Sequence, residues 1–212
     1  MFAKKLDWDS KVDSDFAQEW QKATTAIDKF YVEIPRQVFS SEKTDSKPFL
    51  WIFADASNSA MAVCGYLENS TSTAVSQLIS GKTKLAPQKR TLSTPKLELL
   101  AVLLAFRLAE SIAFALNYAI STINIASDSL IALSWIRTVR KVPLFVANQR
   151  DKIKAHINRL IAHGCQCQIL HVPGEKNPAD AGTRGVTSAQ LENLDWIRGP
   201  QWLINHKERS LL

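Results

Sequence analysis

The sequence predicts an α/β domain built on a five-stranded mixed sheet with helices packed around it. Three observations predict it: three strand-like runs follow one another, a long apolar helix comes next, and two further strands alternate with helices. The 212 residues are enough for one domain of ordinary size with flanking segments. Apolar residues make up 46% of the chain and charged residues 22%, which predicts a packed core and excludes wholesale disorder.

The first three runs predict an antiparallel meander. Residues 49–54 are continuously apolar and end at Asp55, and residues 60–67 and 74–79 are strand-like. Upstream of them, apolar residues at positions 16, 20, 27 and 30 fit one amphipathic helix, and residues 40–48 read as a linker. The predicted sheet domain therefore begins close to residue 48.

The rest of the chain alternates helices with strands. Thr94 followed by Pro95 is a helix-start signal, and the apolar character of residues 97–116 on all sides is typical of a helix buried against a sheet. The remaining predicted elements are, in order, a strand at 123–126, a helix capped within 127–129, a helix over 143–163 that ends at Gly164, a strand at 165–172 and a short segment at 179–184.

Composition and charge exclude some classes of protein. The longest apolar stretch, 112–120, is interrupted by Asn117 and is shorter than the roughly 18 residues of a membrane span. No apolar block follows the N-terminal lysines, so we expect no secretory signal and an intracellular protein. The net charge of +6 is compatible with a polyanionic partner. An odd, sparse cysteine count predicts reduced thiols without a disulfide partner at Cys64, Cys165 and Cys167.

Four carboxylates stand where an unpaired negative charge is costly. Asp55 and Asp128 each follow a strand, Glu98 interrupts an apolar helix, and Asp180 follows the last strand. Because the ends of neighbouring parallel strands meet at one sheet edge, we expect these acids to converge, and divalent cations with oxygen ligands commonly resolve such repulsion. Each acid alone also fits a turn, an N-cap or a helix N-terminus. Their combination favours a generic divalent-metal site.

The motifs around these acids resemble a known family. In chain order they are FADAS at 53–57, TPKLELLA at 94–101, ASDS at 126–129, FVANQRDKI at 145–153 and HVPGEKNPADAGTRG at 171–185. Together they resemble the ribonuclease H domain of BEL/Pao-type LTR retrotransposon polyproteins. The resemblance implies a ribonuclease H-like three-layer fold at 48–185, a connection to the polymerase at 1–47, and a tail at 186–212 that packs on the domain.

The resemblance also implies an activity, which is two-metal hydrolysis of the RNA strand of RNA/DNA hybrids during retrotransposon reverse transcription. Asp55 matches the acid that bridges two Mg²⁺ ions, Glu98 and Asp128 match those on the leaving-group side, and Asp180 matches the one beside the attacking water. Mn²⁺ is the expected substitute. The implied partners are the hybrid and the polymerase region of the same polyprotein. The implied location is a cytoplasmic virus-like particle, with the nucleus as the alternative.

A further set of residues, some of them on the loops around the site, is predicted to contact the phosphates or the 2′-hydroxyls of the substrate. For the basic members, a solvated charged face is the alternative interpretation. The predicted contacts are Ser57, Lys82, Lys84, Lys89, Arg90, Lys96, Ser129, Asn177 and Arg184.

Two departures from the family pattern leave other functions open. The loop at 173–178, PGEKNP, lacks the histidine that many relatives carry before the fourth acid, and the chain has no Asp-Asp dipeptide of a polymerase metal motif. One alternative is therefore a non-catalytic or co-opted fragment that binds hybrid without cutting it. A second is an integrase-like or exonuclease relative that acts on DNA ends.

Overall fold

Five strands form the centre of the molecule. The computed structural model describes residues 7, 9–28, 31, 33, 47–68, 77–87, 92–186, 190 and 195–203. The strands are β1 Phe49–Ala56, β2 Ala60–Glu68, β3 Gln77–Leu85, β4 Thr122–Ser127 and β5 Gln166–His171. They form one sheet in the order β3-β2-β1-β4-β5, with β1, β2 and β3 antiparallel and β4 and β5 parallel to β1. The predicted five-stranded mixed sheet is confirmed.

Helices and short turns connect and cover these strands. The helices are α1 Ser14–Asp28, α2 Thr94–Ala115, α3 Leu130–Arg137, α4 Leu144–Ala162, α5 Ala181–Arg184 and α6 Asp195–Arg198. In the described part of the chain, 3₁₀ turns lie at Gly174–Lys176, Pro178–Asp180 and Gln201–Leu203.

The main core lies between one face of the sheet and the helices. α2 contacts β1, β2 and β4 on one side and α3 and α4 on the other. This sandwiched position explains why α2 is apolar almost all round, since side chains such as Leu99, Ala101 and Leu104 are buried on different sides of the helix. The proline in its first turn accords with the predicted helix start.

A smaller core lies on the opposite face of the sheet. Trp51 and Phe53 of β1 and Tyr66 of β2 pack there with Trp202 and Leu203, which follow α6. Side chains alternate between the two faces along β1, so the strand contributes to both cores. This places β1, with Asp55 near its end, in the middle of the fold.

The third strand differs from its prediction. Residues 74–79 are apolar enough to suggest a strand, whereas β3 is Gln77–Leu85 and includes the basic stretch SGKTKL. β3 lies at the sheet edge, where its backbone pairs with β2 on one side and residues 81–85 are exposed to water. Hydrophobic patterning therefore does not mark this strand. Residues 71–76 lie outside the described residues.

The N-terminal helix contributes no buried residue to the fold, whereas Cys64 and Cys165 are buried in its two cores. α1 buries none of its residues, and Trp20 and Ile27 on it are 65% and 70% exposed. The thiols of the three cysteines are free. Among the described residues, none of the helices combines the length and apolar character needed to cross a membrane.

Candidate active site

Three of the predicted acids lie close together at the carboxyl ends of β1 and β4, which are inner strands of the sheet. β1 runs parallel to β4 with Ala54 opposite Ser127, so Asp55 and Asp128 follow side by side. Glu98 comes from the first turns of α2, which packs across β1 and β4. One carboxylate oxygen from each of the three acids lies within 4.8 Å of the others. A single cation is within reach of all three.

This acidic cluster of Asp55, Glu98 and Asp128 is largely buried, with Asp128 partly exposed. Asp55 is 5% exposed and Glu98 9%. Glu98 Oε2 and Asp128 Oδ1 are buried and accept no hydrogen bond from any described group. Buried carboxylate oxygens are ordinarily satisfied by donors or by a cation. An all-oxygen set with two unsatisfied atoms fits a hard divalent ion such as Mg²⁺.

Burial, together with repulsion from a neighbouring carboxylate, raises the pKa of every member of the acidic cluster. Burial is the largest cause for Glu98, and the charges of Asp55 and Asp128 add to it, so that its pKa rises to about 8. Burial also raises the pKa of Asp55 and of Asp128, and the negative charge of Asp55 acts further on Asp128. Without a cation Glu98 therefore holds a proton at neutral pH, and a bound cation would displace it.

We expect the metal-free protein to lose stability as pH rises. The folded pKa of Glu98, about 8, lies above its ordinary 4.5, so its contribution is fully present below pH 4.5 and is lost as pH approaches 8. Within that window each pH unit costs up to about 1.4 kcal/mol, or roughly 3 to 6 °C in Tm. Thermal melting in EDTA between pH 5.5 and 8.5 measures this, with Glu98→Gln as the comparison. A difference in Tm between the parent and Glu98→Gln that stays constant with pH would contradict this expectation.

Asp180 lies beside the acidic cluster but outside it. Its negative charge, after the effect of burial, contributes to the raised pKa of Asp55 and Asp128, so it is close to both. Its Oδ1 accepts a hydrogen bond from Arg184 Nε at 2.7 Å, one helical turn further along. Arg184 is a predicted substrate contact, and in the structure its partner is this acid. The metal-ligand role of Asp180 stays a prediction.

Thr183 is a candidate site residue that the sequence analysis missed. It is 8% exposed, and its hydroxyl donates to Asp55 Oδ2 while lying 3.0 Å from the carbonyl oxygen of Asp180. The short helix α5 brings it back onto β1. The only signal in the sequence is its position three residues after Asp180, which places it one turn away if that acid starts a helix.

For the ribonuclease activity that the resemblance implies, replacing Thr183 by Val is expected to lower cleavage of an RNA/DNA hybrid about 10- to 100-fold, because the Asp55 carboxylate loses the donor that orients it. Thr183→Ser keeps the hydroxyl and is expected to remain within about 3-fold of the parent. The measurement is the single-turnover cleavage rate of the parent, Thr183→Val and Thr183→Ser proteins. Equal rates for the Val and Ser variants would show that the hydroxyl does not orient Asp55.

Three predicted polar contacts are engaged within the protein. Ser57 Oγ accepts hydrogen bonds from the backbone at the start of β2, and Ser129 Oγ caps α3 by accepting from Ala132 N at 3.2 Å. Asn177 is buried, and its amide donates to Ala54 O at 3.0 Å. These observed roles are structural, and the predicted contacts of these residues with substrate stay predictions.

The predicted basic contacts lie in different places. Lys82 and Lys84 are exposed on β3. Lys96 is half-buried at the start of α2, and its ammonium group lies 5.7 Å from the ring centroid of Phe145. Two further predicted contacts lie outside the described residues, namely Lys89 and Arg90. The exposed lysines are free to meet phosphates, whereas Lys96 already has an aromatic partner.

A five-stranded mixed sheet in this order, with acids where its parallel strands end, defines a ribonuclease H-like domain. Residues 1–129, more than half of the chain, match the family described as the Pao retrotransposon-like RNaseH-like domain. The chain therefore belongs to that family, and the resemblance inferred from the motifs is confirmed. None of the curated proteins compared with the sequence matches it.

Several solved structures are similar to the chain at low sequence identity. RNase H1 from the halophilic archaeon Halobacterium salinarum NRC-1 is 15% identical, with 70% of this chain and 99% of that one covered and a TM-score of 0.45. LC11-RNase H1 in complex with an RNA/DNA hybrid is 12% identical, with 69% and 98% covered and a TM-score of 0.47. The foamy viral protease-reverse transcriptase in complex with dsDNA is 12% identical, with 82% of this chain but 32% of that one covered and a TM-score of 0.46.

Proposed function

We propose that this domain is a metal-dependent endonuclease that hydrolyses the RNA strand of RNA/DNA hybrids during retrotransposon reverse transcription. The observation that carries the proposal is the acidic cluster, in which three carboxylates converge and two of their buried oxygens lack a donor. Membership of a retrotransposon family supports the biological setting. The proposed neighbour is the polymerase region of the same polyprotein, and the proposed location is a cytoplasmic virus-like particle, with the nucleus as the alternative.

The acidic cluster would hold divalent cations, with Mg²⁺ as the proposed ion and Mn²⁺ as its substitute. Asp55, Glu98 and Asp128 would hold one ion, and Asp55 together with Asp180 would hold the second. When bound, such a pair of ions stabilises the attacking and leaving oxygens of an in-line displacement at phosphorus. The protein itself then needs no side-chain nucleophile.

The residues of the chain prepare this site in three ways. Burial of Asp55 and Glu98 keeps water from screening their charges, which strengthens attraction for a cation. The Thr183 hydroxyl orients the Asp55 carboxylate. Arg184 holds Asp180, and because the Arg184 side chain is 76% exposed, exchanging this partner for a phosphate costs little.

The proposed substrate is an RNA/DNA hybrid recognised through its backbone. Lys82 and Lys84 would meet phosphates, which makes binding weaken as salt concentration rises. Ribose 2′-hydroxyls next to the acidic cluster would distinguish RNA from DNA. Ser57 and Ser129, which flank the ends of β1 and β4, are the proposed polar contacts closest to the acids in sequence.

A cleavage assay on four labelled duplexes or strands tests the proposal. Hybrid, single-stranded RNA, duplex RNA and duplex DNA are incubated with the protein and Mg²⁺, and each is repeated in EDTA. We expect cutting of the RNA strand of the hybrid alone, and none in EDTA. Cutting of duplex DNA without regard to the 2′-hydroxyl would favour the integrase-like alternative instead.

A second candidate function is hybrid binding without cleavage. The observation that favours it is the pairing of Asp180 with Arg184 at 2.7 Å, which leaves this acid outside the acidic cluster. Affinity measured in parallel with product formation separates the two functions. Salt-sensitive binding of hybrid with no products in Mg²⁺ or Mn²⁺ would support the binding module and contradict the nuclease.

A further inference from the structure

We infer that residues 195–203, which we name the C-terminal strap, position the segment that carries Asp180. That segment, residues 174–184, is named here the fourth-acid segment. The strap lies outside residues 1–129, the part of the chain that matches the family. The inference rests on the proposed function only where it links the strap to metal binding and cleavage.

Trp202 holds the fourth-acid segment at a point before Asp180 in the chain. Its indole Nε1–H donates to Lys176 O at 3.1 Å. Its ring is buried edge-on against Trp51 and Phe53, with centroid separations of 5.9 and 5.7 Å. Because both rings belong to β1, the strand of Asp55, Trp202 ties the loop before Asp180 to the strand that carries the first acid.

Trp196 fastens the same segment after Asp180. A Cβ on Gly182 would lie 2.6 Å from Trp196 Cζ3, and a Cβ on Gly81 would lie 2.7 Å from Trp196 Cζ2. The indole therefore fits between α5 and β3 only because both positions are glycine. Tyr66, which is fully buried, lies with its hydroxyl 2.8 Å from Trp196 O and fixes the backbone of the strap.

The contacts of Trp202 and Trp196 lie on either side of Asp180 in the chain. Trp202 holds Lys176, four residues before Asp180, and Trp196 contacts Gly182, two residues after it. The neighbour of Gly182 is Thr183, whose hydroxyl donates to the carboxylate of the first acid. Loss of the strap would therefore release both the fourth acid and the donor that orients the first. Trp196 and Trp202 are positioning residues in this account.

Hydrogen exchange of the full chain tests the positioning directly. Trp202→Phe keeps an aromatic ring in the smaller core but removes the donor to Lys176 O and part of the ring, so exchange across residues 174–184 is expected to rise about 3- to 10-fold. Trp196→Ala leaves the surface of Gly182 uncovered, and we expect a rise of at least about 10-fold. Unchanged exchange of this segment in both variants would overturn the inference.

Leu160→Ala is the matched control for general destabilisation. Leu160 is fully buried in the main core, on the opposite side of the sheet from the strap. Its truncation lowers global stability without removing a contact of residues 174–184. If Leu160→Ala raises exchange of the fourth-acid segment, relative to the rest of the chain, as much as the tryptophan variants do, the strap has no specific role.

The Mg²⁺ dissociation constant, measured by calorimetry, links the strap to the acidic cluster. It is expected to rise about 3- to 10-fold in Trp202→Phe and to stay at the parent value in Leu160→Ala. Parent-like Mg²⁺ affinity in a variant whose fourth-acid segment exchanges faster would overturn the link. Absence of hybrid cleavage by the parent protein would instead contradict the proposed nuclease, and the exchange comparison would still decide whether the strap positions the segment.

Discussion

Replacement of Asp55 by Asn is expected to lower the rate of hybrid cleavage by at least about 10³-fold. Asp55 is the acid shared by both proposed ions, and the loss of one charged ligand removes several kcal/mol of transition-state stabilisation, at about 1.4 kcal/mol per factor of ten. Single-turnover cleavage of a labelled hybrid in Mg²⁺ measures the change. Asn has nearly the shape of Asp, so the fold is expected to persist.

The control for this experiment is an acid of the same type elsewhere. Asp151 lies on α4 with a side chain that is 68% exposed, and its ion pair with Arg150 spans 4.0 Å. Asp151→Asn removes the same charge and is expected to leave the rate within about 2-fold, because exposed pairs contribute little. Cleavage by Asp55→Asn at the parent rate would show that the acidic cluster takes no part in the reaction.

Mg²⁺ is expected to raise the Tm of the parent protein substantially. A ligand that binds only the folded state stabilises it by about 2.7 kcal/mol at one hundred times its Kd, which corresponds to roughly 5 to 10 °C for a chain of this size. The physical cause is relief of repulsion among three converging carboxylates, two of whose buried oxygens lack donors. Melting curves in EDTA and in Mg²⁺ at constant ionic strength measure the shift.

Asp128→Asn separates metal binding from general stabilisation. Removing one buried charge is expected to raise the Tm in EDTA by a few degrees, since the repulsion that raises the pKa of Glu98 is reduced. The same variant is expected to lose most of the Mg²⁺ shift. A parent-like Mg²⁺ shift in Asp128→Asn would show that the ion binds elsewhere, and a destabilised variant in EDTA would show that this carboxylate is not under repulsion.

The sheet and the acidic cluster could be predicted because few physical rules govern them. Apolar runs mark β1, β2 and β4, and neighbouring parallel strands end at one edge, so Asp55 and Asp128 had to lie close together. Glu98 could be added because an ionised side chain inside an apolar helix needs a partner. These inferences use only local patterns and one topological rule.

Other features depend on tertiary contacts that no local pattern reveals. β3 forms by pairing with β2 at the sheet edge. Because residues 81–85 face water there, the strand has few apolar residues that could mark it in the sequence. Thr183 matters because α5 turns it toward Asp55, which is 128 residues away in the chain. The sequence analysis predicts that the tail packs on the domain, but only the structure reveals that Trp196 contacts Gly182.

A crystal structure with bound Mn²⁺ and a hybrid, solved with anomalous scattering, tests the central claim most directly. We expect two anomalous peaks roughly 3.5 to 4 Å apart, both next to Asp55, with Glu98 and Asp128 on one and Asp180 on the other. Mn²⁺ bound only away from these carboxylates, or no ion at all beside a bound hybrid, would contradict it.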